Sequence, residues 1–268
     1  MSLISIATAR TLQSISQQNN EGVALFNQGH YDEELQVFKD ATTASKAFLN
    51  IQPEEAECST FAELAVSMLV LPSQTAHTYD LCSNKEDPKV YVKTFKVLVN
   101  LVGVVQPSCG QRDAVGSEQC LMFSRLSTFL IFNLAMAHHA AAMVSSRDSD
   151  TTKKRAFLSK ARDLYSLAYS IPQGDQEKEI IDAALLPLFV QAILNNLGQC
   201  YASLDDRDNS VACFELLLRT IIVFQQNLKG ACNLGEFDDR LYNDRSIACF
   251  LDNTLFLILK NPRVAPAE

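Results

Sequence analysis

Across residues 31–50 the small and apolar positions Leu35, Phe38, Ala41, Ser45 and Phe48 recur every three or four residues. That step places them along one face of an α-helix. The same alternation returns at Phe157, Ala161, Leu164, Ala168 and Ile171, predicting a helix over about Thr152–Ile171. It returns again at Val211, Phe214, Leu218 and Ile221, after a turn at Asp205–Asp208. Upstream of the first stripe, Gln17–Asn27 reads as a helix that Gly29 stops, with Asp32 as a cap for the helix that follows. Gln17–Asn50 is thus a helical hairpin with a very short turn. Further helices are expected over Ser117–Val144 and Asp175–Leu204, and one helix or a pair over Phe237–Leu259, with a polar loop at Ser145–Thr152 and an extended tail from Pro262. Pro187 either kinks the Asp175–Leu204 helix or divides it.

Residues 51–116 break the helical pattern. Pro53, Pro72, Pro88 and Pro107 divide them into short pieces. Cys58–Leu71 reads as a short helix or a strand. His77–Cys82 and Lys89–Val99 are β-branched and partly alternating, with turn residues between them, and predict a two-stranded ribbon lying against the helices. Ser108–Ser117 reads as a polar loop. The resulting division is one helical-repeat domain over 1–268, made of a first hairpin (17–50), an irregular insertion with the ribbon (51–116), a helical hairpin region (117–260) and a tail (261–268).

Composition narrows the function classes. The net charge of −8 and the lack of a dense Lys/Arg cluster argue against nucleic-acid binding. Lys153-Lys154-Arg155 is the tightest basic run and reads as a solvated face. No uninterrupted apolar run reaches the roughly 18–20 residues of a membrane span. Leu121–Val144 comes closest and is interrupted by Arg125, Asn133, His138 and His139. Met1–Leu12 is too short and polar for a secretory signal. An import segment finds weak support in an acid-free, Ser/Thr-rich start whose one base is Arg10. Eight cysteines are scattered without a C-x-x-C pair, so they read as reduced, mostly buried thiols. An intracellular protein, cytoplasmic or nuclear, is expected.

Three short stretches share a pattern: Asn20-Glu21-Gly22, Asn133-Leu134-Ala135 and Asn196-Leu197-Gly198. Each sets an asparagine two residues before a small residue, ahead of a turn and a second helix. Gly22, Gly29, Tyr31, Phe38 and Ala41 are spaced as in a tetratricopeptide repeat, which the stretch resembles. Leu197, Gly198, Tyr201 and Phe214 repeat that spacing. Leu134, Ala135, Ala161, Tyr165, Ala168 and Pro172 fit a third copy if its turn is lengthened. Glu34 and Ser210 stand where that family usually has alanine. The copies cover about half the chain at unequal separations, so the chain resembles a degenerate, interrupted helical-repeat protein. Phe132–His139, Asn195–Gly198 and the tail from Leu259 are also similar to a large family of diatom helical-repeat proteins. That likeness implies a fold and no particular reaction.

These resemblances imply an all-α fold: a tetratricopeptide-like, right-handed stack of antiparallel helical hairpins with a small β-ribbon insertion. They place Asn20, Asn133 and Asn196 on the concave groove. There an amide, with two donors and an acceptor, either holds the backbone of an extended peptide or ties neighbouring helices. Relatives that grip a peptide carboxylate carry lysines one turn earlier. Those places hold Ser16, Phe129 and Ala192 here, so that clamp is not expected.

Other chemistry finds no constellation. His138 and His139 point about 100° apart on a helix and lack a partner at i+4, so they read as packed core residues rather than metal ligands. His30 and His77 read as exposed. Asp205, Asp206, Asp208, Asp238 and Asp239 fall at helix starts, where carboxylates cap N–H groups. Cys200 and Cys213 read as inert core thiols. Tyr91 and Phe95 among Lys89, Lys93 and Lys96 suggest a nucleic-acid platform less well than they suggest edge protection of a ribbon. The expectation is a non-catalytic protein- or peptide-binding scaffold without metal or cofactor. The alternative is a structural subunit bound through its outer faces or ribbon edge, and a small-ligand carrier or enzyme is the least supported reading.

Overall fold

The computed structural model describes residues 2–50, 63–72, 94–105, 112–145, 151–171, 186–231 and 250. Most of these are helical. The elements in chain order are β1 (Ser2–Ser5), α1 (Ile6–Gln28), α2 (Tyr31–Asn50), β2 (Glu63–Pro72), β3 (Phe95–Val105), α3 (Arg112–Ser145), α4 (Thr151–Ser170), α5 (Leu186–Ser203) and α6 (Arg207–Ala231). Helices adjacent in the chain pack on one another throughout, from α1 on α2 to α5 on α6.

Helix α1 begins eleven residues before the expected Gln17, because Ser5 caps it: its Oγ accepts from the Thr8 N–H at 3.1 Å. The stop at Gly29 is as read. Gly29 takes φ 79°, and the His30 N–H closes back on the Leu25 carbonyl at 3.0 Å. Helix α2 starts at Tyr31, so Asp32 lies inside its first turn rather than capping it. Its buried face is Leu35, Phe38, Ala41 and Ser45, the stripe that periodicity predicted.

The α5–α6 hairpin repeats this construction bond for bond. Asp205 takes φ 65° where the first hairpin has Gly29. The Asp206 N–H closes on the Tyr201 carbonyl at 2.9 Å, as His30 does on Leu25. The Ser210 and Glu34 N–H groups bond the carbonyls of Asp206 and His30 at 3.1 and 3.0 Å. A Cβ on Gly22 would lie 2.6 Å from the Phe38 ring, and one on Gly198 2.5 Å from the Phe214 ring. Both glycines thus let an aromatic of the second helix press onto the backbone of the first. In the middle hairpin Ala135 and Tyr165, both fully buried, stand at the corresponding places of α3 and α4.

The strands differ from expectation. Among the described residues the strands form a three-stranded antiparallel sheet of order β1-β2-β3 rather than a two-stranded ribbon. β2 pairs with β3 from Glu63↔Val105 to Pro72↔Phe95, with a bulge at Ala65/Val66, and Ser2–Ser5 pairs with Val66–Glu63. Only the Phe95–Val99 part of the expected ribbon is a described strand; His77–Cys82 and the turn after it lie outside the described residues. Helix α3 starts at Arg112, inside the expected polar loop. Pro187 is the second residue of α5, where a first-turn proline gives up an N–H the helix does not use, and the 175–185 part of the expected helix lies outside the described residues. Of the expected Phe237–Leu259 helix only Phe250 is described, helical and fully buried.

Helix α3 is the centre of the core. Its Met122–Ser145 part is long and apolar enough to cross a membrane by length and composition, with mean hydropathy 1.3, but 83% of that window is buried inside the protein. Being packed by α2, α4 and the sheet makes it apolar all round, as a central helix must be.

Candidate functional site

Strand β3 lies across α1 and α3 with Phe95 and Val97 facing the helices, both fully buried. The Phe95 ring enters an aromatic nest: Phe129, Phe132 and Phe189 lie 5.5, 5.2 and 5.4 Å away by ring centroids. Phe132 in turn meets Tyr165 at 5.6 Å. This nest joins α3, α4, α5 and the strand.

Residues one apart on a strand turn their N–H and C=O to opposite sides. The polar groups of Phe95 and Val97 therefore point the same way, and side-chain amides meet them. Asn133 of α3 accepts from the Phe95 N–H at 2.9 Å and donates to the Phe95 carbonyl at 2.8 Å. Asn20 of α1 treats Val97 identically, accepting at 2.9 Å and donating at 2.7 Å. Asn19 donates to the Phe95 carbonyl at 2.9 Å and accepts from Asn133 at 2.8 Å. Ser16 donates to the Val97 carbonyl. Asn19 and Asn133 are fully buried, where an unpaired amide is costly. Each amide imitates the edge of a neighbouring strand.

The third asparagine is used differently. Asn196 of α5, also fully buried, donates to the Tyr165 hydroxyl of α4 at 3.1 Å, and that hydroxyl donates to the Met136 sulfur of α3 at 3.8 Å. Asn195 donates to the Asn196 oxygen at 3.0 Å. This chain of side chains links three helices.

Spacing singled out Asn20, Asn133 and Asn196, and the structure brings the first two together on β3. It did not single out Asn19, Asn195 or Ser16 as donors, although two Asn-Asn doublets carry the signal. Ser16 fills a place noted only for lacking lysine, and Phe129, at the matching place, lines the nest. Among the other repeat positions, Tyr31 packs edge-on against Phe26 at 6.0 Å, and Tyr201 is half-buried against the core.

His138 and His139 are core residues. His138 lies against Phe157 at 5.8 Å, and neither ring nitrogen has a hydrogen-bond partner; it is packed but not hydrogen-bonded. Burial, with Lys39 and Lys160 adding to it, lowers its pKa to about 4. Burial lowers His139 to about 4 as well, and its Nδ1 lies 3.7 Å from the Cys200 sulfur. A thiol and an imidazole this close invite a nucleophile–base reading. However, burial raises the Cys200 pKa far above the ordinary thiol range, and Cys200 is fully buried. Both partners are neutral, and neither reaches solvent. Cys213 is pushed up to about 11 by burial. His30 is exposed, 3.5 Å from Glu33, and His77 lies outside the described residues. Asp206 accepts from the Asn209 N–H at the start of α6, a capping role. Among the described residues no group of three or more His, Cys, Asp or Glu could hold a metal ion. The platform idea fails at Phe95, whose ring is inside the protein; Tyr91, Lys89 and Lys93 lie outside the described residues.

Glu34, at the family's alanine place, is fully buried with both carboxylate oxygens unpartnered, and burial raises its pKa to about 9. Its counterpart Ser210 donates to the Gly198 carbonyl at 2.8 Å.

No curated protein and no solved structure matches the chain. Residues 192–220, which span most of α5, the Asp205 turn and the first half of α6, match the tetratricopeptide repeat family. With its mostly helical fold, the chain fits a tetratricopeptide-like helical-repeat protein.

Proposed function

We propose that the chain is a non-catalytic protein-interaction module, a scaffold or adaptor, whose helices form a right-handed tetratricopeptide-like stack with the asparagines on its concave face. Tetratricopeptide repeats generally mediate protein–protein interaction, which supports the class. One observation carries the groove reading: Asn20 and Asn133 each hold both polar groups of one residue of an extended strand. That is backbone recognition, which gives affinity without fixing sequence. The partner is another protein or peptide, with no nucleic acid, membrane or cofactor in the reading. The proposed place is intracellular, cytoplasmic or nuclear.

The alternative, a structural subunit held through its outer faces, is favoured by Leu216, Ile222 and Val223 of α6. These large apolar residues are exposed by 38%, 45% and 55%. Its other form, strand addition at the β3 edge, is disfavoured because amides already meet Phe95 and Val97 there.

A pull-down with the full chain separates the readings. Partner capture is expected to fall in a folded Asn133→Ala/Asn196→Ala variant. Partners unchanged in that variant would sink the groove reading, and their loss in a Leu216→Glu/Val223→Glu variant would favour the outer face.

A further inference from the structure

We propose that β3 is the groove's resident ligand, and that the groove accepts an external extended segment of the pattern aromatic-x-β-branched when this strand is weakened. The proposal rests on the peptide-binding reading and names the ligand class.

Three observations converge. First, the hydrogen bonds from Ser16, Asn19, Asn20 and Asn133 to the strand go to main-chain atoms of Phe95 and Val97. Any extended segment offers the same atoms in the same two-residue rhythm. Second, the specificity lies in one pocket. The nest of Phe129, Phe132 and Phe189 closes on a single aromatic ring, and the Val97 side chain two residues on is fully buried. Lys96 and Leu98 between and beyond them are exposed, so the groove reads alternate residues. Third, β3 has a main-chain neighbour on one side, β2; at Phe95 and Val97 the other side is held by side chains. A competing segment has to displace β3 from that side-chain edge and fill the nest. In the native chain the strand does both, so the groove is closed in cis.

The test uses the full chain and a fluorescent peptide copying Thr94–Val99, followed by anisotropy. Val97→Pro removes the N–H that Asn20 accepts, and Phe95→Ala empties the nest. Each variant is expected to take up the peptide at least about tenfold more tightly than the native chain. A peptide with alanine in place of its phenylalanine is expected to lose that gain. Adding Asn20→Ala and Asn133→Ala to the Phe95→Ala chain is expected to abolish it. The proposal falls if both folded variants bind no better than the native chain, or if uptake survives loss of the two asparagines. It falls equally if circular dichroism shows both variants unfolded, since β3 is then an indispensable part of the core. Partner capture that depends on Asn133, without peptide uptake, removes this proposal and leaves the binding reading standing.

Discussion

Glu34, His138 and His139 are ionisable side chains buried from solvent, and they bend the stability of the protein in opposite directions with pH. Folded Glu34 keeps its proton to about pH 9 against an ordinary 4.5. The unfolded chain releases that proton first, so stability falls as pH rises from about 4.5 to about 9. The two histidines are lowered from 6.5 to about 4, so stability is lost as pH falls from about 6.5 to about 4. The two trends place the maximum near pH 6.5, with each group contributing a slope of up to about 1.4 kcal/mol per pH unit. Glu34→Gln is expected to flatten the alkaline limb and to steepen the acid limb above about pH 4.5, where Glu34 opposes the histidines, measured by urea unfolding from pH 5 to 9. An alkaline limb unchanged in that variant would refute the assignment. Spacing alone showed Glu34 standing at a small-residue place; that both its oxygens lack a partner was legible only in three dimensions. The glycines were more transparent. Gly22→Ala and Gly198→Ala each drive a Cβ into a packed phenylalanine ring. Each is expected to destabilise by about 1–2 kcal/mol net, after the ~1 kcal/mol that alanine gains in helix propensity.

Among the elements, the helices were legible and the sheet was not, for a physical reason. A helix of twenty residues shows its buried face several times over, as α2 and α4 do. β1 has four residues, too few for a period of two to register. β2 is an apolar run, which cannot be told from a buried helix segment by pattern alone. β3 was located, but its partner was sought next to it in the chain rather than at Glu63–Pro72. The amides that hold it were picked out by their repeat position, while their pairing with the strand was invisible until the chain folded back. Asn133→Ala removes the acceptor of the buried Phe95 N–H and is expected to cost about 2–4 kcal/mol. It should also speed amide hydrogen exchange at Phe95 and Val97. Asn196→Ala, which breaks the link from α5 to Tyr165, should leave exchange at those two amides unchanged. Equal exchange in both variants would mean that Asn133 does not hold the strand.

At the scale of the molecule, the proposed groove and the exposed face of α6 respond to different substitutions. Leu216→Glu/Val223→Glu changes exposed positions only. It is expected to leave the unfolding free energy within about 0.5 kcal/mol of native while testing α6 as a contact face. The first hairpin and the third are the same device with the same turn, and the strand between them is what distinguishes the molecule from a plain repeat array. That arrangement has a consequence in time. Asn20 meets a residue 77 positions further along the chain, and Asn19 meets one 114 positions along. During synthesis at about 5–20 residues per second, α1 therefore emerges on the order of ten seconds before the strand its amides will hold. The nascent α1–α2 hairpin carries an open row of amide groups through that interval. Closing so long a loop is slow and comes late. The ribosome thus exposes, once in the life of each chain, the α1 side of the proposed groove, which the finished protein keeps covered.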